Sequence, residues 1–144
     1  MSCELCASDG GTLLWRDEFC RVVRADVADY PDFLRVIVNR HVREMTDFES
    51  IDRERLMRVV FSCETVLRET VQPHKINLAS LGNAVPHVHW HVIARRADDR
   101  HFPDPIWAAP RRAGAARRAS VDDAELRRRL VERIARDALP GRSG

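Results

Sequence analysis

Apolar and polar residues alternate along several short segments of the chain, which is the pattern of strands buried on one face. Five such segments predict strands, and the first two form a hairpin that turns at Asp17 and Glu18. The third segment is rich in β-branched residues, as buried strands are. The predicted strands cover residues 13–16, 19–25, 34–39, 76–81 and 87–94.

The hydrophobic period changes to three and four residues after Ser50, which predicts an amphipathic helix. Ser50 is the expected N-cap, and Pro73 ends the helix. A second helix is predicted over residues 121–138, where Ser120 and Asp123 resemble a capping box. The apolar positions are Ile51, Leu56, Val59, Val60, Cys63, Val66 and Leu67 in the first helix, and Leu126, Leu130, Ile134 and Ala138 in the second.

Charge is distributed unevenly along the 144 residues. Residues 1–110 carry 14 basic and 17 acidic side chains, whereas residues 111–144 carry 10 and 5, so a body of net charge −3 precedes a tail of +5. The arginine-rich tail could contact nucleic-acid phosphates, but a solvated helix is favoured because no aromatic residues are interleaved with the arginines. With no membrane span and no secretory signal in the sequence, we expect a cytoplasmic protein without a membrane or nucleic-acid partner.

Three histidines, His87, His89 and His91, alternate with apolar residues, so in a strand they share one face. The opposite face then carries Val88, Trp90 and Val92. Three imidazoles on one face could bind a catalytic metal ion together with further ligands. Alternatively, one neutral imidazole could attack phosphorus while its second nitrogen donates a hydrogen bond. The spacing alone does not distinguish these two chemistries.

Cys3 and Cys6 form a C-x-x-C pair at the start of the chain. This spacing is typical of metal knuckles and of redox pairs, and no preceding strand supports a thioredoxin-like redox site. In a cytoplasmic protein we expect the four cysteines to be reduced.

The segment 87–93 resembles the signature of the histidine triad (HIT) family, in which histidines alternate with apolar residues and two apolar residues close the motif. The resemblance extends to the C-x-x-C pair, to the strand that ends before His41, to the strand with Asn77, and to Trp107. It implies an α+β, HIT-like fold, with an antiparallel sheet of about five strands, one main helix and a C-terminal helix. We expect a HIT domain at residues 1–110 and a basic extension with a helix at residues 111–144.

The resemblance also implies a reaction on a nucleotide. His89 would attack the α-phosphorus and form a nucleotidyl-histidine intermediate, as in diadenosine polyphosphate hydrolases and nucleoside phosphoramidases. His91 would assist and would bind substrate together with Asn77 and Asn83. Many members carry a serine or threonine where this chain has Ala84, so one expected phosphate contact is missing. A nucleotide-binding regulatory protein without turnover therefore remains an alternative.

One zinc-binding branch of the family matches this chain at Cys3, Cys6, His41 and His87. The resemblance implies that these four residues form a structural Zn²⁺ site, which reserves His87 for the metal. It also implies a homodimer, with Trp107 either in the core or at the contact between subunits. Trp90 is expected under the main helix. His74 and His101 are expected on the solvated surface.

Overall fold

Five antiparallel strands form the sheet at the centre of the computed structural model, which describes residues 2–114 and 121–138. The sheet order is β1-β2-β3-β5-β4, with each neighbouring pair antiparallel. The five-stranded α+β architecture predicted from the sequence is confirmed. The strands are β1 (Thr12–Arg16), β2 (Cys20–Arg24), β3 (Phe33–Val38), β4 (Lys75–Ala79) and β5 (His89–Arg95).

Three helices accompany the sheet: α1 (Glu4–Ala7), α2 (Ser50–Val71) and α3 (Asp123–Asp137). The apolar face of α2 packs on one face of the sheet, and α3 packs against α2 and β1. Leu126 and Leu130 of α3 are fully buried in the same core as the α2 residues. Trp90 packs against this core, as predicted. Within the described ranges, no helix is long and apolar enough to cross a membrane.

The alternation of side chains along the strands leaves a second, more polar face on the sheet, opposite α2. Val36 and Val92 point into the core under α2. The cross-strand pairs Arg35–His91 and Ile37–His89 therefore lie on the other face. This register brings an arginine beside the last histidine of the triad.

Two helix boundaries differ from the prediction. Ser50 is the first residue of α2, and Glu49 holds the N-cap position without a side-chain capping bond. Ile51 is 43% exposed, because five residues at about 100° each place it about 140° around the helix from Leu56. Asp122 caps α3 by accepting a hydrogen bond from the Glu125 N–H at 2.8 Å, whereas the predicted cap, Ser120, lies outside the described residues.

Strand β5 begins at His89, two residues later than predicted. The backbone N–H of His87 donates to the Val85 carbonyl at 2.8 Å, in a turn centred on Pro86 that comes before the first residue of β5. Val88 is held separately, by its N–H to the Val42 carbonyl at 2.7 Å. The first triad histidine therefore stands just outside the strand that carries the other two.

Candidate functional site

Four side chains from distant parts of the chain form a compact Cys/His cluster: Cys3, Cys6, His41 and His87. One ligand atom from each lies within 4.8 Å of all the others. His87 Nδ1 is 3.3 Å from Cys3 Sγ, 3.5 Å from Cys6 Sγ and 3.3 Å from His41 Nδ1. The structure thus brings together the four residues that the family resemblance implied as a metal site.

The elements around the cluster fix the orientation of its ligands. His87 Nε2 donates to the Val38 carbonyl at 2.7 Å, which leaves Nδ1 free to bind a metal. Buried Arg21 holds the segment on both sides of Cys6, because its guanidinium donates to the carbonyls of Leu5, Ser8 and Asp9.

The cluster has the dimensions of a tetrahedral metal site. With metal–sulfur bonds of about 2.3 Å and metal–nitrogen bonds of about 2.05 Å, a tetrahedron separates two nitrogens by about 3.3 Å and a sulfur from a nitrogen by about 3.6 Å. Four of the six separations between ligand atoms, at 3.3–3.5 Å, are close to these values, and all six lie within 4.8 Å. The four side chains can therefore hold a metal ion, with every position of the tetrahedron filled by protein.

His89 and His91 lie apart from the cluster and line a cleft of about 420 Å³ on the polar face of the sheet. His89 Nδ1 donates to the His87 carbonyl at 2.6 Å, which fixes its ring and its tautomer. The two rings meet edge to face, with centroids 5.0 Å apart. The remaining lining residues are Glu4, Leu5, Arg35, Leu81, Gly82, Asn83, Ala84, Val85 and Trp107.

His91 is only 6% exposed, in contact with Phe33 on one side and Trp107 on another. Burial lowers the pKa of His91 to about 4, with smaller contributions from His89 and from the charge of Arg35. Among the described residues, His91 Nδ1 has no hydrogen-bond partner. The ring is therefore neutral at pH 7, and one of its nitrogens is unsatisfied inside the cleft wall.

Of the two asparagines predicted to bind substrate, one lines the cleft and the other does not. Asn83 and Ala84 line the cleft, on the loop between β4 and β5. Asn77 lies on β4, where its Oδ1 accepts a hydrogen bond from Arg95 Nη1 at 2.7 Å, and it is not among the residues that line the cleft. A second cavity of about 490 Å³, between α2 and α3, contains no histidine.

The prediction for His101 is wrong, because its ring is buried. Tyr30 packs beside it, with the Tyr30 hydroxyl 2.7 Å from His101 Nδ1. His74 is exposed, as predicted. Trp107 is 52% exposed, and its ring stands 5.1 Å from that of His91 within the same chain.

Sequence reasoning missed two contributions to the cleft. Arg35 interrupts the apolar segment of β3. A single charged residue in a buried strand is a signal from which Arg35 could have been predicted as a cleft residue. Glu4 and Leu5 come from the segment between the two clustered cysteines. No local signal in the sequence places that segment beside the triad.

Comparison with known proteins agrees with this architecture. The HIT domain family model matches residues 10–98. A histidine triad protein from Bradyrhizobium japonicum is 26% identical over 90% of this chain and 91% of its own, with a TM-score of 0.66. One from Marinobacter aquaeolei is 22% identical over 94% and 96%, with a TM-score of 0.71. No curated protein matches the chain.

An α+β fold with alternating histidines at the start of an inner strand defines a class of nucleotide-binding proteins. The chain belongs to the HIT domain family, whose members bind nucleotides. The family includes nucleotide hydrolases and transferases as well as members without catalytic activity.

Proposed function

We propose that the protein is a nucleotide hydrolase or transferase that acts at the α-phosphate through a covalent nucleotidyl intermediate on His89. The hydrogen bond from His89 Nδ1 to the His87 carbonyl, at 2.6 Å, carries the proposal. Because a carbonyl oxygen only accepts, Nδ1 holds the proton and Nε2 keeps its lone pair. An imidazole in this tautomer can attack phosphorus without first losing a proton.

Two displacements at phosphorus make up the reaction. In the first, His89 Nε2 forms a bond to the α-phosphorus, and the bond to the leaving group breaks with its electron pair going to that group. In the second, water or another acceptor attacks phosphorus, the nitrogen–phosphorus bond breaks, and the acceptor releases a proton. His91, neutral with a pKa of about 4, donates a hydrogen bond to a phosphate oxygen as its charge develops.

Asn77 and Asn83 are the further substrate contacts in this proposal. Asn83 lines the cleft beside the histidines and can reach a bound phosphate or ribose. Asn77 lies outside the residues that line the cleft, and its Oδ1 already accepts a hydrogen bond from Arg95, so its amide N–H₂ and the second lone pair of Oδ1 are what it can offer to substrate.

Zinc is the metal we assign to Cys3, Cys6, His41 and His87. Two thiolates and two imidazoles that close a tetrahedron are the ligand set of structural zinc sites. A bound ion would tie the N-terminal segment to the sheet and offer no open position to substrate. Both ring nitrogens of His87 are used, one in the cluster and one at the Val38 carbonyl, which argues against a catalytic metal shared by the three triad histidines.

The decisive test compares His89→Ala with His74→Ala, which removes an exposed histidine outside the cleft. Both variants are assayed against dinucleoside polyphosphates and nucleoside phosphoramidates, and intact-mass spectrometry looks for a nucleotidyl adduct. We expect the His74 variant to retain the adduct and the turnover, and the His89 variant to lose both. Turnover that survives His89→Ala would refute the covalent mechanism.

A regulatory protein that binds nucleotides without turnover is the second candidate. Ala84 favours it, because this cleft residue offers no hydroxyl to a phosphate. Tight binding of ADP with neither product nor adduct on any substrate of the panel would support this candidate over the enzyme.

The setting we propose is a homodimer in the cytoplasm. The half-exposed Phe61 on α2 and the position of β4 at the edge of the sheet support a self-association surface. A reducing compartment is supported by the Cys/His cluster, because metal binding requires free thiolates at Cys3 and Cys6. Sedimentation equilibrium at several protein concentrations tests the dimer.

A further inference from the structure

Arg35 is the one arginine or lysine among the described residues that line the cleft. It lies on β3 directly opposite His91, on the same face of the sheet. His91 is neutral at pH 7, so it can donate a hydrogen bond to a phosphate but cannot balance its charge. A fixed positive charge for an anionic substrate must therefore come from Arg35 or from outside the cleft lining.

Two other buried arginines, Arg21 and Arg95, differ from Arg35 in their hydrogen bonding, whereas the Nε of Arg24 lacks a partner as that of Arg35 does. Arg21 and Arg95 are both almost fully buried, and each uses all three guanidinium nitrogens in hydrogen bonds to the protein. Arg35 makes one hydrogen bond within the described chain, from Nη1 to the Gly10 carbonyl at 3.1 Å. It forms no ion pair with a described carboxylate, although Glu4 lies near enough to raise its pKa slightly against the lowering caused by burial.

Burying the Arg35 guanidinium removes it from water, and the hydrogen bonds it makes in the free protein do not fully replace those lost to water. Burial lowers the pKa of Arg35, and its Nε has no partner in the described structure. Phe33 supports the guanidinium from one side, with the central carbon 5.1 Å from the ring centroid. A half-buried guanidinium with unpaired N–H donors, in the same cleft as the proposed nucleophile His89, is suited to bind phosphate oxygens.

The register places the backbone of Arg35 beyond the pair that contains the reacting histidine. His89 pairs with Ile37 of β3. Arg35 lies two residues before Ile37, so the Cα atoms of Arg35 and Ile37 are about 6.7 Å apart at the usual rise per strand residue. We propose that Arg35 binds a second phosphate, linked to the one that reacts, so that the cleft selects nucleotides carrying two or more phosphates. This inference rests on the proposed function and assigns its substrate class.

Equilibrium binding tests the inference independently of turnover. In the His89→Ala background, the dissociation constants of ADP and AMP are measured with Arg35 present, with Arg35→Leu and with Arg35→Lys. We expect the leucine variant to lose about tenfold or more in ADP affinity, which is typical of a hydrogen bond to a charged group, and less than twofold in AMP affinity. The lysine variant should recover part of the lost ADP affinity, because it restores the positive charge but not the planar set of guanidinium donors.

Arg68→Leu is the matched control, because Arg68 is an exposed arginine on α2, outside the cleft. An equal loss for ADP and AMP in Arg35→Leu, or no loss for either, would overturn the inference. Failure of the proposed function appears elsewhere, as the absence of a nucleotidyl adduct in the parent protein, so the two failures are distinguishable.

Discussion

Acid should destabilise the fold through His91. An unfolded chain protonates this histidine near pH 6.5, whereas burial in the folded protein holds its pKa at about 4. Between these values the unfolded state binds the proton and the folded state does not, so the free energy of unfolding falls as the pH falls through this window. The contribution is complete above pH 6.5 and is lost by pH 4.

The size of the effect follows from the shift. The pKa values of His91 in the unfolded and folded states differ by about 2.5. At about 1.36 kcal/mol per pKa unit, this corresponds to about 3.4 kcal/mol in the free energy of unfolding. Because the ring borders an open cleft, solvent screens part of the penalty, and we expect about 2 kcal/mol.

The measurement is urea unfolding at pH 7.5 and pH 4.5 for the parent and for His91→Gln, with the free energies extrapolated to zero denaturant. The loss on acidification should be about 2 kcal/mol larger in the parent. Titration of the Cys/His cluster affects both proteins and cancels in this difference. Equal losses in the two proteins would show that His91 is not held neutral by the fold.

Three further predictions concern the rest of the structure. Leu130→Ala should lower the free energy of unfolding by about 2–5 kcal/mol in urea titration, because α3 shares the main core; a change below about 0.5 kcal/mol would mean that α3 does not pack there. Arg95→Met should cost about 3–5 kcal/mol, because it removes the buried ion pair with Asp99 at 3.1 Å and the hydrogen bonds to Asn77 and the Asp104 carbonyl; unchanged stability would contradict that role. Cys6→Ser should lower the zinc found by native mass spectrometry from one ion per chain to a small fraction and should remove the effect of a chelator on Tm, with Cys63→Ser as the control that keeps the metal.

The secondary structure was largely predictable because it depends on near neighbours. A strand alternates its side chains and a helix repeats them every three to four residues, so the strands and α2 were located to within about two residues. The two-residue error at the start of β5 arose because the alternation of His87 continues that of His89 and His91. Only the hydrogen bonds show that His87 lies in a turn.

The candidate site was predictable in its residues but not in its surroundings. The four cluster residues were assigned through a family resemblance, and their proximity depends on contacts such as Cys3–His87, which joins residues 84 positions apart. The burial of His101 against Tyr30 likewise joins segments 71 positions apart, and no periodic pattern encodes it.

The sequence by itself determined the local features: alternating strands, an amphipathic main helix, and three histidines at alternate positions. The tertiary structure decided the surroundings of each of these histidines. It turned His87 toward the cysteines and buried His91 so that the pKa of His91 falls. It also placed Arg35 opposite His91, on the neighbouring strand and the same face of the sheet. The physical reason is that backbone geometry is fixed by adjacent residues, whereas burial and charge depend on which distant strands become neighbours.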